Sequence, residues 1–436
     1  MKRKVSAILL TLAMVISLTA GCANKSNDIS TNASEESGDK KITVWAWDDK
    51  FNVAVMEEAA KFYKDIDPDA QIEVVSLSKE DVYVKLQTAL AGDGSGLPDI
   101  VLLEDYVSGK YLNTFGSRFA DLTNEIDYSN FLDFKTEAVT KDGKVYAVPF
   151  DTGATALYYR IDLIEQAGYT EGDMKDLTWS EFIQIGKDVT EKTGVQMIVE
   201  IANNKTTLVR SMMQSAGMWY FDENGDISIK DNESLKESFR IIKEMKDAGI
   251  LYEVESTENR AAALNNGTVA SVVNAPWFVS ALRGAEDQSG LWRATTIPRM
   301  EKISESINAS NVGGSSWYVL EKSDVKEDAI NFLKEIYDGN LDFYKNILNN
   351  QGAICAYLPA FELEEFEQGD EFFGGQQVNK LFAETLPKVQ AVYYGGYVSE
   401  ANDAITTALS GVFDGSLTID EALEEAQNQL ANQLGK

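Results

Sequence analysis

The chain has 436 residues, 70 acidic against 39 basic side chains, a net charge of −31 and no histidine. Without histidine it has no Ser-His-Asp or Cys-His catalysis and no histidine-containing zinc site. Its acidity repels phosphate backbones and anionic lipid, so no nucleic-acid partner is expected and no broad contact with a membrane surface.

The chain opens Met1-Lys2-Arg3-Lys4 and continues as an uncharged, mostly apolar run to Cys22. A basic start, an apolar stretch and small residues at its end read as a secretory signal over residues 1–21. A single transmembrane helix needs a run of about 20 residues. Here Ser6, Thr11, Ser17 and Thr19 dilute the run, and no basic stop follows closely. Ala20-Gly21-Cys22 resembles the lipobox of bacterial lipoproteins. The resemblance implies palmitate or similar acyl chains on Cys22, which becomes the mature N-terminus on the outer face of the cytoplasmic membrane, most naturally in a monoderm bacterium. Cleavage removes three positive charges and takes −31 to −34. Residues 22–40 are small and polar, too poor in apolar groups to fold, and read as a tether. Cys355 then has no partner, so no intrachain disulfide is expected.

From residue 41 to 436 the chain exceeds one ordinary core and suggests two domains. "KITVWAW" reads as a strand. Val55, Ala59, Phe62 and Ile66 then repeat at helical spacing. "QIEVVSL" is a second strand, and Ser78 with Asp81 caps a following helix. "IVLLE" is apolar throughout, as a strand covered on both faces should be. Strand and helix alternating in this way mean parallel βαβ units and an α/β class. Asp142-Gly143 reads as a turn, and "VYAVPF" and "ATALYYR" as extended segments. Thr178 and Glu181 form a capping box. "VQMIVEI" is a strand, Asn224-Gly225 the turn of a hairpin, and "SLKESFRIIKEMKDAGI" an amphipathic helix closed by Gly249. "TVASVVNAPW" and "GSSWYVL" are further strands, and Thr418 with Glu421 caps a last helix.

"ITVWAWDDKFN", "GLPDIVLLEDY", "GKVYAVPFDTGATALYYRIDLIEQAG", "VASVVNAPWFV" and "NASNVGGSSWYVLE" together resemble the extracellular solute-binding proteins of bacterial ABC importers, the family that includes maltose-binding protein. "QSAG-WYFDENG" and "NVGGSSWYV" look most like its lactose, arabinose and oligosaccharide branch. The resemblance implies a two-domain periplasmic-binding-protein-like fold with hinge crossovers and an interdomain ligand cleft. The lobes would be 41–150 plus 299–342 and 151–298 plus 343–436. It further implies a monomer without cofactor or metal that captures a short oligosaccharide and delivers it to permease subunits, without catalysis.

A sugar offers hydroxyl edges to carboxylates and amides, and C–H faces to aromatic rings. Trp47, Asp48 and Asp49 follow the first strand, where the family places polar contacts; an acidic helix start is the alternative. Glu104 and Asp105 end a strand, where open α/β sheets bind ligands. Asp151 and Thr152 sit at the expected first crossover, as contacts or as hinge hydrogen bonds. Trp277 matches the family's Gly-Pro-Trp stacking position, and Tyr394 and Tyr397 fall where it carries another aromatic. Gly313, Gly314 and Ser315 offer backbone N–H groups or a plain turn. Trp45 and Trp219 read as packing. The rival functions are capture of a polyol, peptide or amino acid, and an extracellular glycosidase using paired carboxylates. An all-oxygen calcium site remains open.

Overall fold

The computed structural model describes residues 41–202 and 206–435. The signal, Cys22 and the tether lie outside them. Two five-stranded sheets organise the described residues. The first is built on β1 (Lys41–Ala46), β2 (Gln71–Ser76) and β3 (Ile100–Glu104), with β1 parallel to both neighbours. The short hairpin β4 (Thr140–Lys141) and β5 (Lys144–Val145) turns through Asp142 and Gly143, both at positive φ. β6 (Val148–Pro149) follows it and forms the sheet's far edge.

The second sheet comprises β7 (Ala156–Arg160), β8 (Gln196–Ile201), β9 (Leu251–Val254), β10 (Val269–Asn274) and β11 (Trp292–Thr296), in the order β11-β7-β10-β8-β9. β12 (Ser315–Val319) returns to the first sheet, antiparallel to β3 and β6. The first sheet is therefore mixed, with order β2-β1-β3-β12-β6.

The apolar run of β3 does what its composition predicts. Ile100 and Leu102 join one core with Val55, Met56 and Ala59 of α1 (Asn52–Tyr63). Val101 and Leu103 join another with Val82, Leu86 and Leu90 of α2 (Lys79–Ala91). Successive side chains point to opposite faces, so a strand with a helix on each side must be apolar at every position. α1 ends at Tyr63, and Ile66, expected on its stripe, lies beyond the helix and is 46% exposed. Ser78 caps α2 by accepting the Asp81 N–H. The capping boxes of Thr178 with Glu181 and of Thr418 with Glu421 are both reciprocal. The expected hairpin turns at Asn224-Gly225: Asp222 N–H donates to Asp226 C=O and Ser228 N–H to Tyr220 C=O, while the Asp222 carboxylate also accepts the Asn224 and Asp226 N–H groups.

Three segments run side by side between the lobes. Val312 N–H donates to Gly153 C=O, Thr152 N–H to Ile354 C=O, and Ala356 N–H to Phe150 C=O. Helix Leu341–Gln351 stands on the first lobe, its Phe343 packed on Phe62 at 5.8 Å and on Tyr337 at 5.1 Å.

Candidate functional site

A cleft of about 370 Å3 lies where the two sheets' loops meet, within the range of small-molecule sites. From the first lobe come Trp47 and Asp48, directly after β1. Asp48 holds a left-handed φ of 64° and its carbonyl accepts the N–H groups of Phe51 and Val53, starting α1. Trp47 meets Tyr83 edge to face at 5.9 Å. Glu104, ending β3, lines the cleft while accepting from Tyr83 Oη at 2.7 Å and Lys79 Nζ at 3.3 Å. Tyr106, in the first turn of α3 (Asp105–Phe115), lines the same cleft. Burial, with the Glu104 charge, pushes the Tyr83 and Tyr106 hydroxyls well above the usual range, so both remain neutral donors.

The floor is the crossover itself. The Asp151 carboxylate accepts both the N–H and the Oγ–H of Ser315, at 2.8 and 2.5 Å. Gly314 sits at φ +99°, which an L side chain rarely adopts. A Cβ on Gly313 would lie 2.7 Å from Cη2 of Trp277. Trp277 enters from the second lobe just after β10, with 40% of its surface exposed. A large indole left open beside carboxylates and guanidiniums is an unusual surface for a soluble protein and a ready stacking face.

Of the residues expected from sequence, Trp47, Asp48, Glu104, Asp151, Trp277, Gly314 and Ser315 line this cleft. Five stand apart from its lining. Asp49 is exposed and accepts from Ser76 Oγ. Asp105 is 1% exposed and paired with Lys135, so the fold uses its carboxylate. The Thr152 hydroxyl donates to Ile354 C=O, the hinge bond given as its alternative. Tyr394 is 7% exposed, edge to face with Trp219 at 5.0 Å, and Tyr397 precedes helix Val398–Asp414 outside the cleft.

Sequence reading missed Tyr106, Arg210, Arg260 and the side chain of Asn274, all on the cleft wall. Arg210 does carry a signal: it is the one charge in helix Thr206–Ser215, "TTLVRSMMQS", where most other residues are buried. Its guanidinium lies over the Tyr106 ring of the other lobe at 5.5 Å. Among the described residues no cluster of carboxylates or thiols is placed to hold a metal ion, and no helix is long and apolar enough to cross a membrane.

Residues 57–340 match the model of the bacterial extracellular solute-binding proteins. The chain is 42% identical, over its whole length and 98% of the relative, to the lactose-binding protein of Rhizobium radiobacter. It is 22% identical to the arabinooligosaccharide-binding protein of Bacillus subtilis, over 99% of each chain. Among solved structures it resembles the sugar-binding protein MalE of Xanthomonas citri, with TM-score 0.76 and 19% identity over 91% of this chain and 98% of that one. It also resembles a binding protein from B. animalis subsp. lactis in complex with β-1,6-galactobiose, with TM-score 0.70 and 22% identity over 91% and 98%. Two α/β lobes joined by side-by-side crossovers, a cleft fed by both, and a family match over most of the chain make this protein a member of the bacterial extracellular solute-binding protein family.

Proposed function

We propose that this protein captures a short oligosaccharide, of the lactose or arabinooligosaccharide type, in its interdomain cleft and delivers it to the permease of an ABC importer. The observation that carries this reading is the partly exposed Trp277 side chain lining the same cavity as Asp48 and Glu104. An indole covers a pyranose C–H face while carboxylates and amides take its hydroxyls. Its 42% identical relative is named for lactose binding, which supports the same ligand class. No bond need be broken for this task, so the protein acts as a binding component and not as an enzyme. It works as a monomer, held to the outer face of the cytoplasmic membrane by acyl chains on Cys22, two or more being needed for stable attachment.

A thermal-shift screen of residues 40–436 tests the reading, with lactose, galactobiose and arabino-oligosaccharides against polyols, amino acids and peptides. A ligand at 100 times its Kd adds about 2.7 kcal/mol of stability. A shift with one oligosaccharide series is expected; a shift with non-sugars alone overturns the ligand class. Cys22→Ser in the full chain is expected to release the protein from cells into the medium.

A further inference from the structure

Two buried donor atoms, on side chains of the second-lobe wall of the cleft, meet no hydrogen-bond acceptor among the described residues. Arg260, from helix Thr257–Asn265, is 8% exposed, and its Nε meets no acceptor among the described residues. Its guanidinium lies over the Phe278 ring at 4.9 Å. Asn274 ends β10 and is 4% exposed. Its Oδ1 accepts the Ala275 N–H at 2.9 Å, while its Nδ2 donates to no described group. Both residues line the cleft.

Native proteins pair nearly all their buried polar groups. A buried donor left unmet destabilises the fold, the more so when it is charged. The neighbouring Glu200 does not remove that cost. Its carboxylate already accepts the N–H groups of Ile201 and Leu208. It acts on Arg260 through charge, opposing the burial that holds the guanidinium below its usual range. Two unmet donors on one cavity wall point to acceptors that arrive with the ligand.

Charge decides which acceptors. Asp48, Glu104 and Asp151 line the cleft against Arg210 and Arg260, so no surplus positive charge remains to hold an anion. The complementary group is an uncharged, oxygen-rich edge.

We infer that Arg260 and Asn274 form a donor subsite that takes hydroxyl or ring oxygens of an uncharged sugar and sets which sugar the cleft prefers. This rests on the reading of the cleft as a sugar site. It assigns specificity to the second-lobe wall, opposite the carboxylates.

Calorimetric titration of the wild type, Arg260→Gln, Asn274→Ala and Trp277→Ala with lactose, galactobiose and digalacturonate tests it. Arg260→Gln and Asn274→Ala are each expected to weaken neutral-sugar binding tenfold or more with little change in the melting temperature of the free protein. A monodeoxy sugar lacking the acceptor that Arg260 meets should bind the wild type weakly and lose little more in Arg260→Gln, a coupling that a purely structural role would not produce. Asn274→Ala decides the matter if Arg260→Gln does not fold. Unchanged affinity in both variants, with Trp277→Ala weakened, overturns the donor subsite and leaves the sugar-binding reading standing. Tighter binding of digalacturonate than of galactobiose overturns the uncharged class. A wild type that binds no sugar overturns the underlying reading instead.

Discussion

Lys135 and Asp105 form an ion pair at 2.5 Å with side chains 0% and 1% exposed. The same ammonium donates to the backbone carbonyls of Asp151 at 2.6 Å and Ser315 at 3.0 Å, one on each of two crossover segments. All three Nζ protons are thereby used, and one cation ties α4 (Asp133–Ala138) to two of the three passages between the lobes. Breaking a buried pair by removing one partner costs about 3–5 kcal/mol, because the other charge is left buried. Lys135→Met is therefore expected to lower stability by that amount, read by urea denaturation. Lys135→Met with Asp105→Leu should recover part of the loss. A double variant no more stable than the single one would show that packing, not charge, dominates here.

Burial pushes the Asp105 carboxyl up to about 6, against the Lys135 charge and the Ser316 hydroxyl that pull it down. Its unfolded value lies near 4, so the native state binds this proton more tightly. The stability the proton confers is fully present below about pH 4 and is lost as pH rises through about 6. Over that window stability should fall with rising pH by at most ~1.4 kcal/mol per pH unit from this group. Subtracting the denaturation profile of Asp105→Asn from that of the wild type isolates it from other carboxylates. A flat difference between pH 4 and 7 would contradict the assignment.

Asp105 also marks where sequence reading stops. The helix caps at Ser78, Thr178 and Thr418 were legible because both partners lie within four residues. The two-faced burial of β3 was legible because it needs only apolarity at every position. Glu104 and Asp105 are neighbours in sequence and looked alike. They diverge because adjacent side chains at a strand end point to opposite sides: Glu104 pairs in register with Ser315 and lines the cleft, while Asp105 turns in toward Lys135. Arg260 and Asn274 were hidden for a related reason. Their significance lies in one donor atom each that meets no acceptor among the described residues, and an unmet donor shows only once the surroundings are folded.

Trp277 and Gly313 should be separable by binding and not by stability. Trp277→Ala removes the stacking face and is expected to weaken sugar binding more than tenfold, about 1.4 kcal/mol. It should change stability little, since the ring is already 40% exposed. Gly313→Ala keeps the ring but places a methyl 2.7 Å from Cη2. The indole must tilt to relieve that clash, so affinity should fall by an amount between those of the wild type and Trp277→Ala. Titration of both variants with the same oligosaccharide checks this, and full affinity in Gly313→Ala would mean that the ring's orientation is irrelevant.

Two tendencies compete at Gly109. It lies within α3, where replacing glycine by alanine ordinarily stabilises by roughly 0.4–1 kcal/mol. Yet a Cβ on Gly109 would lie 2.4 Å from the carbonyl oxygen of Gly395, a residue packed against Phe221 of the second lobe. Backbone cannot yield as a flexible side chain does, so the methyl has to part the two lobes at this contact. Gly109→Ala should leave unfolding stability within about 1 kcal/mol of the wild type while reducing ligand affinity several-fold, since the lobes could no longer approach as closely. Small-angle scattering of the ligand-saturated variant should report a larger radius of gyration than the wild type. Equal affinity and equal radius would mean that the Gly109–Gly395 approach limits neither closure nor binding.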